Sequence, residues 1–450
     1  MSRISRCASI AFVVIALAAR LTTEATADAS YLLLAAYALF GRGPAIQAIA
    51  LSWLFSMLSP GIAAEAPGAS IGRYAVLAAA AASVLARSKV FHDGVKVRRV
   101  TLITALLGLF FFVHSLLFSP MVDVSVLKSV SWTVAMATLI AAWLSLREEE
   151  RSAVADSIYI GLVVLMIVSL PLLAFPVGYM VNKTGFQGVL NHPQALGSTM
   201  ALLGAWAASR MLGKRQPPWS AVALVGACVV LVLLSEARTG GFALVLGVGS
   251  AAVLAPSVSG RSARAVLPGL RSKRVYLVGG AVLVGVVLAG PRLESVVTGF
   301  ISKSDRAGVY SLSAAYERSR GEVVENMWAN IQVKPMQGIG FGVPSDPTAI
   351  DVKRDPFFGL PTSAPIEKGV LPFAVLEEVG VIGFAAVAAW VLLLLRRSSA
   401  GGISPFAVVL TALFLNMGES TLFSAGGMGL LSLVLIGWAF ACGQSTERTR

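Results

Sequence analysis

An all-α, polytopic membrane bundle is the fold class that the sequence predicts, and three observations predict it. Only 13% of the 450 residues are charged and 56% are hydrophobic, whereas a soluble domain carries roughly 25% charged residues. Apolar runs recur with short gaps from one terminus to the other, so they belong to one integral bundle rather than to separate soluble cores. Basic residues collect in alternate gaps between those runs, as expected of loops sorted to one side of a bilayer.

A spanning helix takes roughly 20 apolar residues, because backbone groups in hydrocarbon must hydrogen-bond within their own segment. Such runs lie near 7–21, 29–41, 44–60, 71–87, 100–118, 124–146, 155–177, 195–212, 217–235, 239–256, 275–290, 371–395, 403–417 and 423–442. That is about 14 spans, or about 12 if the shorter runs, notably the second and the tenth, do not cross. The first run follows Arg3 and Arg6 and precedes Ala25-Thr26-Ala27. This has the form of a signal peptide, and the alternative is an uncleaved first helix; the remaining topology is the same in either case.

With the N-terminus in the cytoplasm, the inner connections hold Lys89, Lys96, Arg98, Arg147, Arg151, Arg210, Arg215, Arg261, Arg274, Arg396 and Arg397, among others. About 22 basic residues fall on this side and about five in the short outer connections, which places both termini inside. The chain then divides into a bundle at 1–290, a large outer, periplasmic loop at 291–370, and C-terminal spans at 371–450. The loop holds an amphipathic stretch from Ala314 to Gln332 and a turn from Lys334-Pro335 to Gly342, and reads as a folded cap on the membrane surface.

The net charge of +13 is explained by this side preference, so no nucleic-acid partner is implied. Three cysteines without a CxxC pair and three scattered histidines predict neither a disulfide framework nor a metal site. No Walker-type glycine loop is present, and no cofactor is expected.

Charged groups near bilayer depth are costly and are therefore functional candidates. Arg238 lies in Ser235-Glu236-Ala237-Arg238-Thr239-Gly240-Gly241, which joins two apolar runs with no real loop. A planar guanidinium beside glycines and hydroxyls suits a phosphate or diphosphate; a boundary arginine paired with Glu236 and lipid headgroups is the competing reading. His192, in Asn191-His192-Pro193-Gln194, is a base, a substrate hydrogen-bonder, or a loop histidine before a helix-starting proline. Arg318, Arg320 and Lys334 bracket the amphipathic stretch, either facing a diphosphate or forming a solvated face. Glu367 is a candidate general base, or a partner of Lys368. Glu377 and Glu378 enter a span, so at least one must face protein and be paired; Glu419 is a similar boundary carboxylate.

Taken in order, four segments resemble the bacterial O-antigen ligase/polymerase family. They are GVLNHPQALGSTMAL (188–202), LLSEARTGGFALVLG (233–247), RGEVVENMWANIQVKPMQGIGFG (320–342) and FAVLEEVGVIGFAAV (373–387). The resemblance implies a helical bundle of the multi-span glycosyltransferase type in the bacterial inner membrane. It also implies an undecaprenyl-diphosphate-linked oligosaccharide as donor, in O-antigen or exopolysaccharide assembly, with a flippase and a chain-length regulator as possible partners beside membrane lipid. By this likeness Arg238 holds the diphosphate and Arg320 assists. Many members carry His-Asn where this chain reads Glu367-Lys368, so the likeness implies a polymerase of repeat units ahead of a ligase to lipid A–core. A transporter or flippase of lipid-linked glycan is the competing class; it is expected to show two similar halves, and a structural subunit without activity is the third.

Overall fold

The computed structural model describes residues 3–87, 95–181, 183–277, 280, 321–349, 352–354, 359, 361–363 and 368–448. The helices are α1 (Arg3–Thr22), α2 (Glu24–Ala38), α3 (Arg42–Met57), α4 (Ala69–Arg87), α5 (Val95–Phe118), α6 (Val122–Ser145), α7 (Glu148–Ser169), α8 (Pro193–Leu212), α9 (Trp219–Leu234) and α10 (Arg238–Ser259). After the short α11 (Ala263–Val266) come α12 (Glu322–Val333), α13 (Leu371–Ala400), α14 (Ile403–Leu415) and α15 (Gly429–Arg448). A small antiparallel ribbon, β1 (Lys353–Arg354) and β2 (Pro361–Ser363), is the only sheet among the described residues.

This is a membrane protein. Among the described residues six helical segments are long and apolar enough to cross a bilayer: Ala69–Arg87, Arg99–Phe118, Val122–Ser145, Glu148–Ala174, Arg238–Ser259 and Leu371–Ala400. Each coincides with an apolar run of the sequence. The run at 275–290 falls almost wholly outside the described residues.

Local chemistry sets the helix boundaries, and it moves several by a few residues from the apolar runs. Thr23 caps α2 and exchanges hydrogen bonds with Thr26, so α2 begins before its apolar residues do. Glu148, Glu149 and Glu150 open α7, where carboxylates favour a helix N-terminus. α15 starts at Gly429 rather than at 423, because Phe423 turns its ring into the core and Gly427 adopts a left-handed φ of 51°.

Exposed apolar rows mark the faces that lipid covers: Leu102, Leu106, Leu109 and Val113 on α5, and Ile160, Val164 and Ile167 on α7. In hydrocarbon these rows give no force between helices, so packing depends on close approach of small residues and on hydrogen bonds. Gly108 seats Thr133, Gly247 seats Thr411 and Gly204 lies against Cys228 and Leu244. The buried indoles of Trp132, Trp143 and Trp390 donate to Leu422 O (3.2 Å), Val434 O (3.1 Å) and Thr104 Oγ1 (3.1 Å).

The bundle has two distinct ends. At the basic end, arginines hold backbone carbonyls, most of them left open at helix C-termini. Arg42 donates to Ser145 O, Arg87 to Leu39 O, and Arg151 to Ala441 O and Leu146 O. Arg210 pairs with Asp156 at 2.6 Å and lies over the Tyr159 ring. At the other end, here the loop end, the segments 58–68, 119–121, 170–192, 235–237, 335–349 and 416–428 come together. Ser59 N donates to Val189 O, Phe186 N to Leu234 O and Leu371 N to Asn416 O.

The described part of the large loop is more than a layer on the surface. Met327, Ile331, Phe341 and Val343 are buried, and the Phe341 ring stacks on Phe111 of α5 with centroids 4.1 Å apart. An aromatic side chain brings more apolar area than its backbone brings polar groups, so the turn is drawn into the bundle.

Candidate functional site

Two clusters of polar residues occupy the loop end. The first is organised by a break in α13. Gly380 leaves the helix with φ 64° and ψ −173°, a conformation that side chains other than glycine adopt at a cost. The break frees backbone groups that a straight helix would pair, and the 335–340 segment satisfies them. Val381 N donates to Pro335 O, Ile339 N to Glu377 O and Gly340 N to Glu378 O, each at 2.9 Å. A Cβ on Gly338 would lie 2.5 Å from Glu378 O, and one on Gly380 would collide with Met336 O. Gly338 and Gly380 therefore let one backbone cross another, while Gly340 and Gly342 leave room for Ser119 and the Lys128 side chain.

The side chains of Glu377 and Glu378 point into this crossing. Glu377 is fully buried, and Lys368 is 4% exposed. Lys368 Nζ lies 2.5 Å from Glu377 Oε2 and 3.4 Å from Glu378 Oε1. Asn330 Nδ2 donates to Glu377 Oε1 at 2.7 Å, Ser345 Oγ to Glu377 Oε2 at 3.2 Å, and Gly342 N to Glu378 Oε2 at 2.7 Å. With its charges paired and its oxygens accepting hydrogen bonds, this group is a clamp holding the large loop to α13 rather than a poised acid or base. His114 on α5 adds a bond from Nε2 to Gln337 O at 2.6 Å. Lys128 of α6 stands under the turn, its Nζ 5.5 Å from the Phe341 ring centroid, with Glu378 and Lys368 as charged neighbours.

The second cluster surrounds the N-termini of α8 and α10. His192 is the N-cap of α8: its Nδ1 accepts from Gln194 N at 3.1 Å, and Pro193 takes the first helical position. Arg238 is the first residue of α10. Glu236, with a left-handed φ of 52°, turns the chain from α9 to α10 within three residues. The turn is close because Gly197 of α8 leaves room for Ala237 and for Ser235 Oγ. Arg238 thus combines a half-buried guanidinium with the positive end of the α10 dipole.

Between the clusters runs the turn 416–428. Gly418 seats Thr239, the neighbour of Arg238, and Glu419 beside it is buried. Asn416 Oδ1 accepts from Thr421 N and Leu422 N, both at 2.7 Å, and Phe423 packs on Phe341 and Phe111. Glu419 and Thr421 line a small pocket with Ser198, Thr199, Ser432 and Trp53, closed by apolar side chains such as Leu202 and Leu415. The Trp53 indole N–H is buried without a hydrogen-bond partner among the described residues.

No protein-family model and no curated protein sequence matches this chain. Its chemistry is therefore read from the residues themselves.

Of the residues singled out from sequence, Arg238 and His192 are brought to one region of the loop end. Lys334 is exposed at the C-terminus of α12, away from the buried groups. Arg318, Arg320 and Glu367 lie outside the described residues, as does the amphipathic stretch before Gly321. Lys368 pairs with Glu377 and Glu378, because a lysine that buries its ammonium reaches the nearest buried carboxylates, whereas the pairing considered with Glu367 lies outside the described residues. Lys128 and Arg73 escaped sequence reading. The available signal was a lysine inside the apolar run 124–146 and an arginine near the start of the run 71–87.

Proposed function

We propose that the chain is a membrane glycosyltransferase that polymerises undecaprenyl-diphosphate-linked repeat units of an O-antigen or exopolysaccharide at the periplasmic face of the bacterial inner membrane. The observation that carries this reading is the position of Arg238. It opens α10 at the end of the bundle that also holds the large loop, and through Thr239 and Gly418 it neighbours the turn bearing the buried Glu419. A cation at a helix N-terminus, in a partly desolvated setting, is suited to stabilise the charge that develops on a departing diphosphate.

In the proposed step the bond between the donor's anomeric carbon and the diphosphate oxygen breaks, and its electrons stay with the diphosphate. A bond forms from that carbon to the acceptor hydroxyl of a second lipid-linked repeat unit. The hydroxyl proton passes to a base, for which His192 and Glu367 are the candidates. Arg238 meets the diphosphate, with Arg318, Arg320 and Lys334 of the large loop as further donors. Two lipid-anchored reactants held at one membrane surface gain in effective concentration. The basic end then faces the cytoplasm with both termini, as the positive-inside rule requires.

Lys368 is committed to the clamp on Glu377 and Glu378. Where many members of the family carry His-Asn this chain reads Glu367-Lys368, with no histidine, which supports the polymerase over transfer to lipid A–core. The test is a gel of surface glycan from a deletion strain carrying the gene for Arg238→Ala. Single capped repeats with normal membrane levels of the variant are expected, and polymer of ordinary length rejects the proposal. Unattached long chains in the deletion strain would identify a ligase, and precursor retained in the cytoplasm a flippase.

A further inference from the structure

Arg73 and Tyr31 form a second basic site at the loop end, distinct from the surroundings of Arg238. Arg73 is the fifth residue of α4, roughly 6 Å along the helix from its start at 1.5 Å per residue. Among the described residues its guanidinium makes no hydrogen bond and no ion pair, and its Nε is buried without a partner. The Tyr31 side chain on α2 is 0% exposed, and its hydroxyl is also buried without a hydrogen-bond partner. The two side chains are neighbours, and Arg20 and Asp28 are the other charged groups around Tyr31.

Arg20 is engaged by backbone carbonyls and stands beside the Tyr31 hydroxyl, and Asp28 is engaged at one oxygen. Arg20 donates from Nε to Phe55 O at 3.1 Å and from Nη1 to Ala64 O at 2.5 Å. Asp28 accepts from Gly68 N at 3.0 Å. Arg73 Nη1 lies against Gly426, at the place a Cβ would occupy, but the Gly426 carbonyl accepts from Ser424 Oγ instead. Gly72 brings α4 onto α2 by packing directly on Tyr31. Among the described residues the fold thus sets two guanidinium groups and a phenol hydroxyl around a single carboxylate, Asp28, so that donors and positive charge are in excess. Leaving buried donors unmade is costly, and a guanidinium fork with a phenol hydroxyl matches the spread oxygens of a tetrahedral anion.

The surroundings indicate which anion. α4 is one of the six spanning segments, and Arg73 lies in its opening turns, the level of a bilayer's phosphates. Ile71 and Tyr74 beside it are exposed, at 45% and 38%, so this part of α4 faces lipid, with a tyrosine at the depth where aromatic belts form. The geometry points to a phosphoryl-binding site formed by Arg73 and Tyr31, occupied by the phosphate of a membrane lipid headgroup. Through Gly426 the bound headgroup abuts the 416–428 turn that carries Glu419. This inference stands independently of the transfer reaction, since it rests on the membrane setting and on these side chains alone.

The full chain, purified in a non-ionic detergent, tests it by thermal unfolding and by direct binding of dioleoyl phosphatidic acid, with dioleoylglycerol and inorganic phosphate as comparison probes. Phosphatidic acid is expected to raise the unfolding midpoint, and dioleoylglycerol to leave it unchanged. Arg73→Ala should abolish the effect. Tyr31→Phe, which keeps the ring and its packing, should weaken binding about tenfold, the usual scale for one hydrogen bond to a charged group. Binding of inorganic phosphate with equal effect would support the site and make free phosphate its ligand. Equal binding of dioleoylglycerol, no binding of either phosphate probe, or undiminished binding by both a folded Arg73→Ala and Tyr31→Phe would overturn the inference.

Discussion

Lys368 Nζ lies 2.5 Å from Glu377 Oε2, between residues nine positions apart in the chain, and both side chains are buried. The pair closes the large loop onto α13, and Glu378 joins it at 3.4 Å. Removing one partner of a buried ion pair leaves an uncompensated charge, at a cost of about 3–5 kcal/mol. Lys368→Met is therefore expected to lower the unfolding midpoint strongly and to speed proteolysis within 321–349. A midpoint equal to that of the parent protein would show that the clamp contributes nothing to stability.

A second expectation concerns the backbone crossing. Gly380 and Gly338 have φ values of 64° and 71°, and each lacks room for a Cβ because a carbonyl oxygen occupies it. Alanine at either position meets both strain, about 1–3 kcal/mol, and a collision with backbone that has little freedom to move. Both variants should detach the 335–345 turn, seen as new protease sensitivity. Alanine at Gly249, where a Cβ would meet nothing within 4 Å, is the control and should leave the turn in place.

His192 allows its capping role to be separated from any role in chemistry. Its Nδ1 accepts from Gln194 N, and loss of such a cap costs about 1 kcal/mol. Asparagine is itself a good N-cap, so His192→Asn should keep the stability that His192→Ala loses. If the imidazole accepts the acceptor's proton, the asparagine variant will be stable yet deficient in polymer formation. Polymer at the parent level would confine His192 to capping.

Arg238→Lys distinguishes positive charge from bidentate geometry. Lysine keeps the charge at the start of α10 but lacks the planar fork. Polymer formation is expected to fall to an intermediate rate, on the order of 10²-fold below the parent if one transition-state donor is lost. Full activity would show that charge alone is needed, and would remove the argument for a bidentate diphosphate contact.

Much of the fold is legible in the chain. The runs at 71–87, 100–118 and 124–146 become α4, α5 and α6 because hydrocarbon leaves a backbone only its own segment to bond with. Arg151 was visible as a one-sided charge, although its use as a clasp on the Ala441 and Leu146 carbonyls was not. The site was less legible. Arg238 stood out by its setting between two apolar runs, and the glycines at 338, 340 and 342 by their spacing. Nothing local indicated that Gly338 crosses the backbone of Glu377 and Glu378, since that contact joins segments some forty residues apart in the chain.

Composition and periodicity alone determine that this chain is a helical membrane protein with basic residues sorted between alternating connections. Both follow from the free energy of single segments in lipid or at its surface, which needs no knowledge of neighbours. Tertiary structure alone decides which charges are spent on holding the fold and which remain to meet a ligand. Lys368 and Arg20 are consumed by buried carboxylates and carbonyls, whereas among the described residues Arg73 is left with donors and no acceptor. That distinction depends on distances between segments remote in sequence, because a charge is neutralised by whatever lies within a few ångströms of it.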